Sequence, residues 1–149
     1  LFTHGGTGKS TDSGLPAAPV VAVDGAGERL LAVDSELSVA RLFNAKRDVW
    51  GLAGKANAPV ELGISGSAPK TDCILFGADG RTLFSNRIAG DDRGTLAKWT
   101  LSGTTLTRGA DLATGLSAVR GFAVWTLDGV EYAVVGEGDG TVSPKAIRE

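Results

Sequence analysis

Two stretches decide how this chain reads: GTLAKWTLSGTTLTRG, Gly94 to Gly109, and VRGFAVWTLDGVEYAVVGEGDGTV, Val119 to Val142. Each is a pair of alternating apolar runs joined by a tight turn. The turns fall at Ser102-Gly103 and at Asp128-Gly129. Alternation on a period of two predicts strands with one face buried. A Gly-containing dipeptide between two such runs predicts a β-hairpin, because two-residue hairpin turns need positive φ. Each stretch also carries Trp-Thr-Leu, at Trp99 and at Trp125. Both tryptophans lie inside strands, so both are expected to pack between sheets.

Working outward, the same pattern recurs upstream. Val20–Val23 and Arg29–Val33 flank the turn Asp24-Gly25-Ala26-Gly27. Leu37–Phe43 and Asp48–Leu52 flank Asn44-Ala45-Lys46-Arg47. Pro59–Ile64 is read as pairing with Asp72–Phe76, and Arg81–Phe84 follows Asp79-Gly80. The polar run Ser85–Gly94, SNRIAGDDRG, reads as an inserted loop. Residues 1–18 have no strand or helix period and read as an irregular or extended lead-in. Residues 19–149 are then a single all-β domain with little or no helix.

The first strands of the units are taken as Val21–Val23, Leu62–Ile64 and Phe122–Val124. Four strands in about 40 residues is the size of one propeller blade. The chain thus predicts an incomplete β-propeller-like array of about two and a half blades, and the alternative is a β-sandwich or barrel of about ten strands. A closed propeller has about 4–8 blades, so the propeller reading requires further blades. They come from partner chains, self or non-self, or from the rest of a larger propeller. On this alignment Trp99 belongs to the outer hairpin of its unit and Trp125 to the inner hairpin of the next.

Composition narrows the function. The 149 residues include 22 glycines, about twice the usual share, spread between short apolar runs as turn-rich β proteins require. The net charge is −2 and there is no basic patch, which argues against nucleic acid as a partner. No apolar run approaches the roughly 20 residues of a membrane-spanning helix. The single cysteine, Cys73, excludes an internal disulfide and opens an apolar run, so it reads as a buried small residue. The chain begins at Leu1 and contains no Met, which is expected of a processed product or a piece of a longer chain.

Lys98-Trp99-Thr100-Leu101, Arg120-Gly121-Phe122 and Glu131-Tyr132-Ala133-Val134 give a further lead. Over roughly residues 71–140 the chain resembles the blade pattern of secreted bacterial β-propeller-like proteins. The resemblance implies an extracellular or periplasmic protein of the surface or adhesion type rather than a defined enzyme.

Motifs for chemistry are sparse. Gly5-Gly6-Thr7-Gly8-Lys9-Ser10-Thr11 ends like a phosphate-binding loop, but Thr3 stands where the first Gly is needed and no helix signal follows. His4 is the sole histidine, so a Ser-His-Asp or Cys-His centre would depend on the lead-in. Histidine- and cysteine-based zinc sites lack ligands. A non-enzymatic module is therefore expected, with no cofactor, or calcium as the alternative; the other readings are a carbohydrate- or ligand-binding module and a fragment of a propeller enzyme whose active site is shared with a missing segment. Glu137 and Asp139 alternate in GEGDG, and Asp91-Asp92 sit together in the inserted loop; either pair is a candidate for calcium. Trp50, just after the charged Lys46-Arg47-Asp48, is the candidate for an exposed aromatic that binds a glycan or other ligand.

Overall fold

The fold comes from a computed structural model, which describes residues 2–4, 10–12, 19–44, 60–137 and 142–146, with side chains over 19–43 and 60–137. Those residues form thirteen strands and no helix. In the lead-in, β1 (Phe2–His4) pairs antiparallel with β2 (Ser10–Asp12). Eleven further strands make three layers. The first layer is β3 (Val20–Val23), β4 (Arg29–Val33), β5 (Ala40–Asn44) and β6 (Val60–Ser65), antiparallel throughout. The second is β7 (Ile74–Phe76), β8 (Thr82–Asn86), β9 (Thr95–Ser102) and β10 (Thr105–Ala113), also antiparallel. The third is β11 (Gly121–Leu127), β12 (Val130–Gly136) and β13 (Val142–Ala146).

The first two layers are one curled sheet. β6 and β10 pair in parallel, Gly63 opposite Thr105 and Ile64 opposite Leu106, and so join the layers at one edge. At the other edge β3 comes back against β7, which nearly closes the sheet. Inside, Leu31, Val33 and Leu62 of the first layer meet Ile74, Leu83 and Trp99 of the second in one apolar core. The third layer packs on the back of the second through Leu96, Val119, Ala133 and Val135. The first strands of the three layers, β3, β7 and β11, touch in succession. The expected hairpin repeat is thus present, and the barrel or sandwich alternative is met in part by the face-to-face closure of two layers.

Two strand assignments from sequence are corrected. The segment Val60–Ser65 ends the first layer instead of opening the second: Leu62 lies opposite Ala40 of β5, and β7 pairs with β8. The layers therefore begin at Val20, Ile74 and Gly121. The supposed inserted loop loses its first two residues to β8, where Ser85 and Asn86 are wholly buried. The expected strand Asp48–Leu52, with Trp50, lies outside the described residues.

Carboxylates brace the turns, those of Asp24 and Asp34 buried and that of Asp79 exposed. One oxygen of Asp24 accepts from the amides of Glu28 and Arg29, one of Asp34 from Ser38 and Val39, and one of Asp79 from Arg81 and Thr82. Each carboxylate holds a hairpin turn closed by taking two amides that the strand ladder does not reach. Burial pushes the Asp34 carboxyl up, but the bonds from Ser38 and Val39 outweigh it and leave the group below its ordinary value of 3.8. Arg29 links layers: its Nε meets Asp24 at 2.8 Å, its guanidinium lies 5.5 Å from the Phe76 ring centre, and Nη2 donates to the Gly80 carbonyl.

Beside the apolar contact, the junction of the second and third layers holds a polar network. Asn86 Oδ1 accepts from Thr71 Oγ1 at 2.8 Å, Cys73 N at 3.1 Å and Asp72 N at 3.2 Å. Its Nδ2 donates to Asp72 Oδ1 at 2.5 Å and to the Val119 carbonyl at 3.3 Å. One side chain so ties the entry of β7, the end of β8 and the approach to β11. Cys73 sits half-buried beside it, with burial pushing its thiol up, as for a packed rather than a reactive cysteine.

Candidate functional site

Two places among the described residues stand out, a cleft and a bare sheet face. The cleft lies between the second and third layers and has a volume of about 280 Å³. Its walls include Asp79, Thr82, Phe84 and Lys98 on one side and Thr126 and Glu131 on the other. Glu131 Oε1 accepts from the Ala78 amide at 2.7 Å, so it spans the gap between layers. Gly77 makes room for it, since a Cβ there would lie 2.6 Å from Glu131 Oε1. Asp79 uses both oxygens within its own turn, on Arg81 and Thr82. Burial raises the Asp79 carboxyl, and bonds from Thr82 and Arg81 more than reverse that, leaving it below 3.8. A general acid needs the opposite shift. The cleft's carboxylates thus hold layers and turns together.

The bare face belongs to the third layer. Side chains alternate along β11, and Phe122 turns inward to the core with Ala133 and Val135 of β12. Ala123, Trp125 and Leu127 point the other way, opposite Val134, Tyr132 and Val130. Trp125 is 39% and Leu127 55% exposed. The Trp125 and Tyr132 rings stack with centroids 5.3 Å apart and planes 20° from parallel. None of these six residues is charged. The register sets Pro144 and Ala146 of β13 beside Val134 and Tyr132. At the far side of the stack, Val21 and Val23 of β3 are 40% and 48% exposed, though Leu30 and Ala32 opposite them are buried.

The residues singled out in the sequence are distributed differently. Trp99 is fully buried, with Nε1 donating to Ser85 Oγ at 3.0 Å, as expected of a core residue. Trp125 is not a core residue; it is part of the bare face. The tryptophans sit on the third strand of one layer and the first of the next, so the shared tripeptide is not a structural repeat. Glu137 Oε1 accepts from the amides of Ser117 (2.7 Å) and Ala118 (3.1 Å) and from Ser117 Oγ, which fixes the β10–β11 loop. Asp139, its expected calcium partner, lies outside the described residues, as does Trp50. Asp92 is 3.4 Å from Arg87 Nη1. Among the described residues no three His, Cys, Asp or Glu side chains come together as a metal site. After Lys9 the chain enters strand β2, where a phosphate loop would start a helix.

A signal for the bare face is present in the sequence. Phe122-Ala123-Val124-Trp125 and Tyr132-Ala133-Val134-Val135 are apolar at consecutive positions, not alternate ones. A strand apolar on both faces is built to be covered on both.

No protein-family model matches the chain. No curated protein matches it either. Sixteen solved chains match it in fold. One is hydrazine synthase from Kuenenia stuttgartiensis, at 16% identity and a TM-score of 0.52 over 96% of this chain and 41% of that one. Another is Hsv2 from Kluyvelomyces marxianus, at 12% identity and a TM-score of 0.49 over 86% of this chain and 44% of that one. The chain spans less than half the length of either. The likeness to the hydrazine synthase chain is one of fold.

Proposed function

We propose that the chain is a propeller-type, non-enzymatic structural and interaction module that works outside the cytoplasm. Its layers act as blades, and its third layer docks a further β-layer. The observation that carries this reading is the uncovered apolar face of Ala123, Trp125 and Leu127. Layer-on-layer packing already holds the three layers together, and the bare face offers the next layer the same kind of surface. The succession of β3, β7 and β11 supports a blade-like arrangement about a common line. The extracellular setting rests on the resemblance of residues 71–140 to secreted propeller-like proteins. A glycan platform on Trp125 is the weaker reading, because a sugar ring stacked there would find no charged group among the six face residues to meet its hydroxyls.

The test is the double variant Trp125→Asp with Leu127→Asp in the native protein. Both side chains are exposed, so folding stability should change by about 1 kcal/mol or less. The mass of the native particle in solution should fall, as the docked layer is lost. A particle of unchanged mass contradicts the proposal.

A further inference from the structure

The β3–β4 and β7–β8 turns share one hydrogen-bond pattern. Asp24 N donates to the Arg29 carbonyl and Gly27 N to the Asp24 carbonyl; Gly77 N donates to the Thr82 carbonyl and Gly80 N to the Gly77 carbonyl. Gly27 and Gly80 both have positive φ, 67° and 63°. In each turn one carboxylate oxygen accepts the two amides that lead into the next strand. Asp24 takes those of Glu28 and Arg29, and Asp79 takes those of Arg81 and Thr82. Thr82 is therefore the counterpart of Arg29.

Arg29 bridges the first and second layers. Its Nε donates to Asp24 Oδ2 at 2.8 Å and its Nη2 to the Gly80 carbonyl in the next layer's turn, while its guanidinium lies 5.5 Å from the Phe76 ring centre. Thr82 is too short to bridge the second and third layers in the same way, and beside it lies the cleft of about 280 Å³. The acceptors a guanidinium needs are nevertheless there. Asp79 Oδ2 accepts the Thr82 hydroxyl at 2.7 Å and has a second lone pair. Glu131 brings a second carboxylate from the opposite wall, and Gly129 stands there in the third layer's turn as Gly80 does in the second's. Lys98, itself engaged, is the one cation among the described lining residues, so carboxylates outnumber it two to one.

We infer that this cleft binds a guanidinium group, on an arginine side chain of another segment or on a small molecule, in the place that Arg29 fills between the preceding layers. Acceptors spread over two walls suit the several fixed donors of a guanidinium better than the point charge of an ammonium. The site is separate from the bare face, since Thr126 lines the cleft and its neighbours Trp125 and Leu127 point the other way.

The experiment is a titration of the full chain at low salt, followed through its backbone amides by NMR. N-acetyl-arginine amide stands for an arginine in a chain and methylguanidinium for a small molecule. The amides of Ala78, Thr82 and Thr126 should shift and saturate with a Kd of about 1 mM. N-acetyl-lysine amide should bind about fivefold more weakly or worse. Tighter binding of the arginine amide than of methylguanidinium assigns the site to a chain segment; equal binding assigns it to the guanidinium group alone. Thr82→Arg supplies the group covalently. It should raise the thermal midpoint by about 2–4 °C and abolish the shifts. Glu131→Gln keeps an acceptor for the Ala78 amide and should weaken binding by about threefold, whereas Lys98→Gln should strengthen it by about as much. If Thr82→Arg misfolds, these opposite signs carry the test. No saturation at about fifty times the expected Kd overturns the inference. So do shifts that map away from the cleft, binding that persists in Thr82→Arg, or binding that Glu131→Gln leaves unchanged.

Discussion

Replacing Asn86 by Ala tests how the layers are joined. The side chain is wholly buried and makes five hydrogen bonds. Truncation leaves the Asp72 amide and the Val119 carbonyl without the partners they have here, while Cys73 N keeps only the 3.3 Å contact to Thr71 Oγ1. Each stranded backbone group costs about 1–3 kcal/mol. The expected loss is therefore about 3–5 kcal/mol, a large part of the 5–15 kcal/mol typical of a domain. At about 2–4 °C per kcal/mol for a chain of this size, the thermal midpoint should fall by roughly 10 °C. Asn86→Asp separates hydrogen bonding from volume. It places a carboxylate where Nδ2 now lies 2.5 Å from Asp72 Oδ1, and two carboxylates so close cannot both ionise cheaply. That variant should be destabilised at pH 7 and should recover towards wild type as the pair takes up a proton on acidification. Urea unfolding of both variants at pH 7 and pH 5 is the assay. A loss under 1 kcal/mol in Asn86→Ala, or an Asn86→Asp deficit that does not depend on pH, refutes the argument.

Three other outcomes follow from single residues. Asp34→Asn should destabilise the chain near neutral pH. Because the folded carboxyl lies below its ordinary 3.8, its contribution is complete above that value and fades as pH falls through the lower folded value, so the two proteins should converge in strong acid; urea midpoints across pH 2–7 check it. Gly94→Ala should cost about 3 kcal/mol, since a Cβ there runs into the Leu116 backbone carbonyl, whereas Gly103→Ala, at a turn with open space and φ 56°, should cost only about 1 kcal/mol; calorimetry separates them. Trp99→Ala should lose about 3–5 kcal/mol, with the core void and the stranded Ser85 hydroxyl both contributing.

Local signals were readable wherever they were self-contained. The turns at Asp24–Gly27, Ser102-Gly103 and Asp128-Gly129 set their hairpins within a few residues, because positive φ and strand alternation are properties of the segment itself. Val60–Ser65 was misplaced because strand identity does not specify a partner. Its pairing with Ala40 on one side and Thr105 on the other is long-range. Ser85 and Asn86 read as loop because polar residues usually face water, and it is the Trp99 indole for Ser85 and partners on Thr71, Asp72, Cys73 and Val119 for Asn86 that make their burial favourable. Trp125 read as core because alternation in one strand cannot say which face is covered. The uninterrupted apolar runs of β11 and β12 held that information, and it becomes legible once the inner face is seen filled by Ala133 and Val135.

The central claim is that the Trp125 face is covered in the working protein. Hydroxyl-radical footprinting addresses it directly, by comparing the native particle with the chain diluted until dissociated. Oxidation at Trp125 and Leu127 should be suppressed in the native particle and should rise in the dissociated chain, while buried Trp99 stays protected in both. Equal oxidation of Trp125 in the two states would contradict the account.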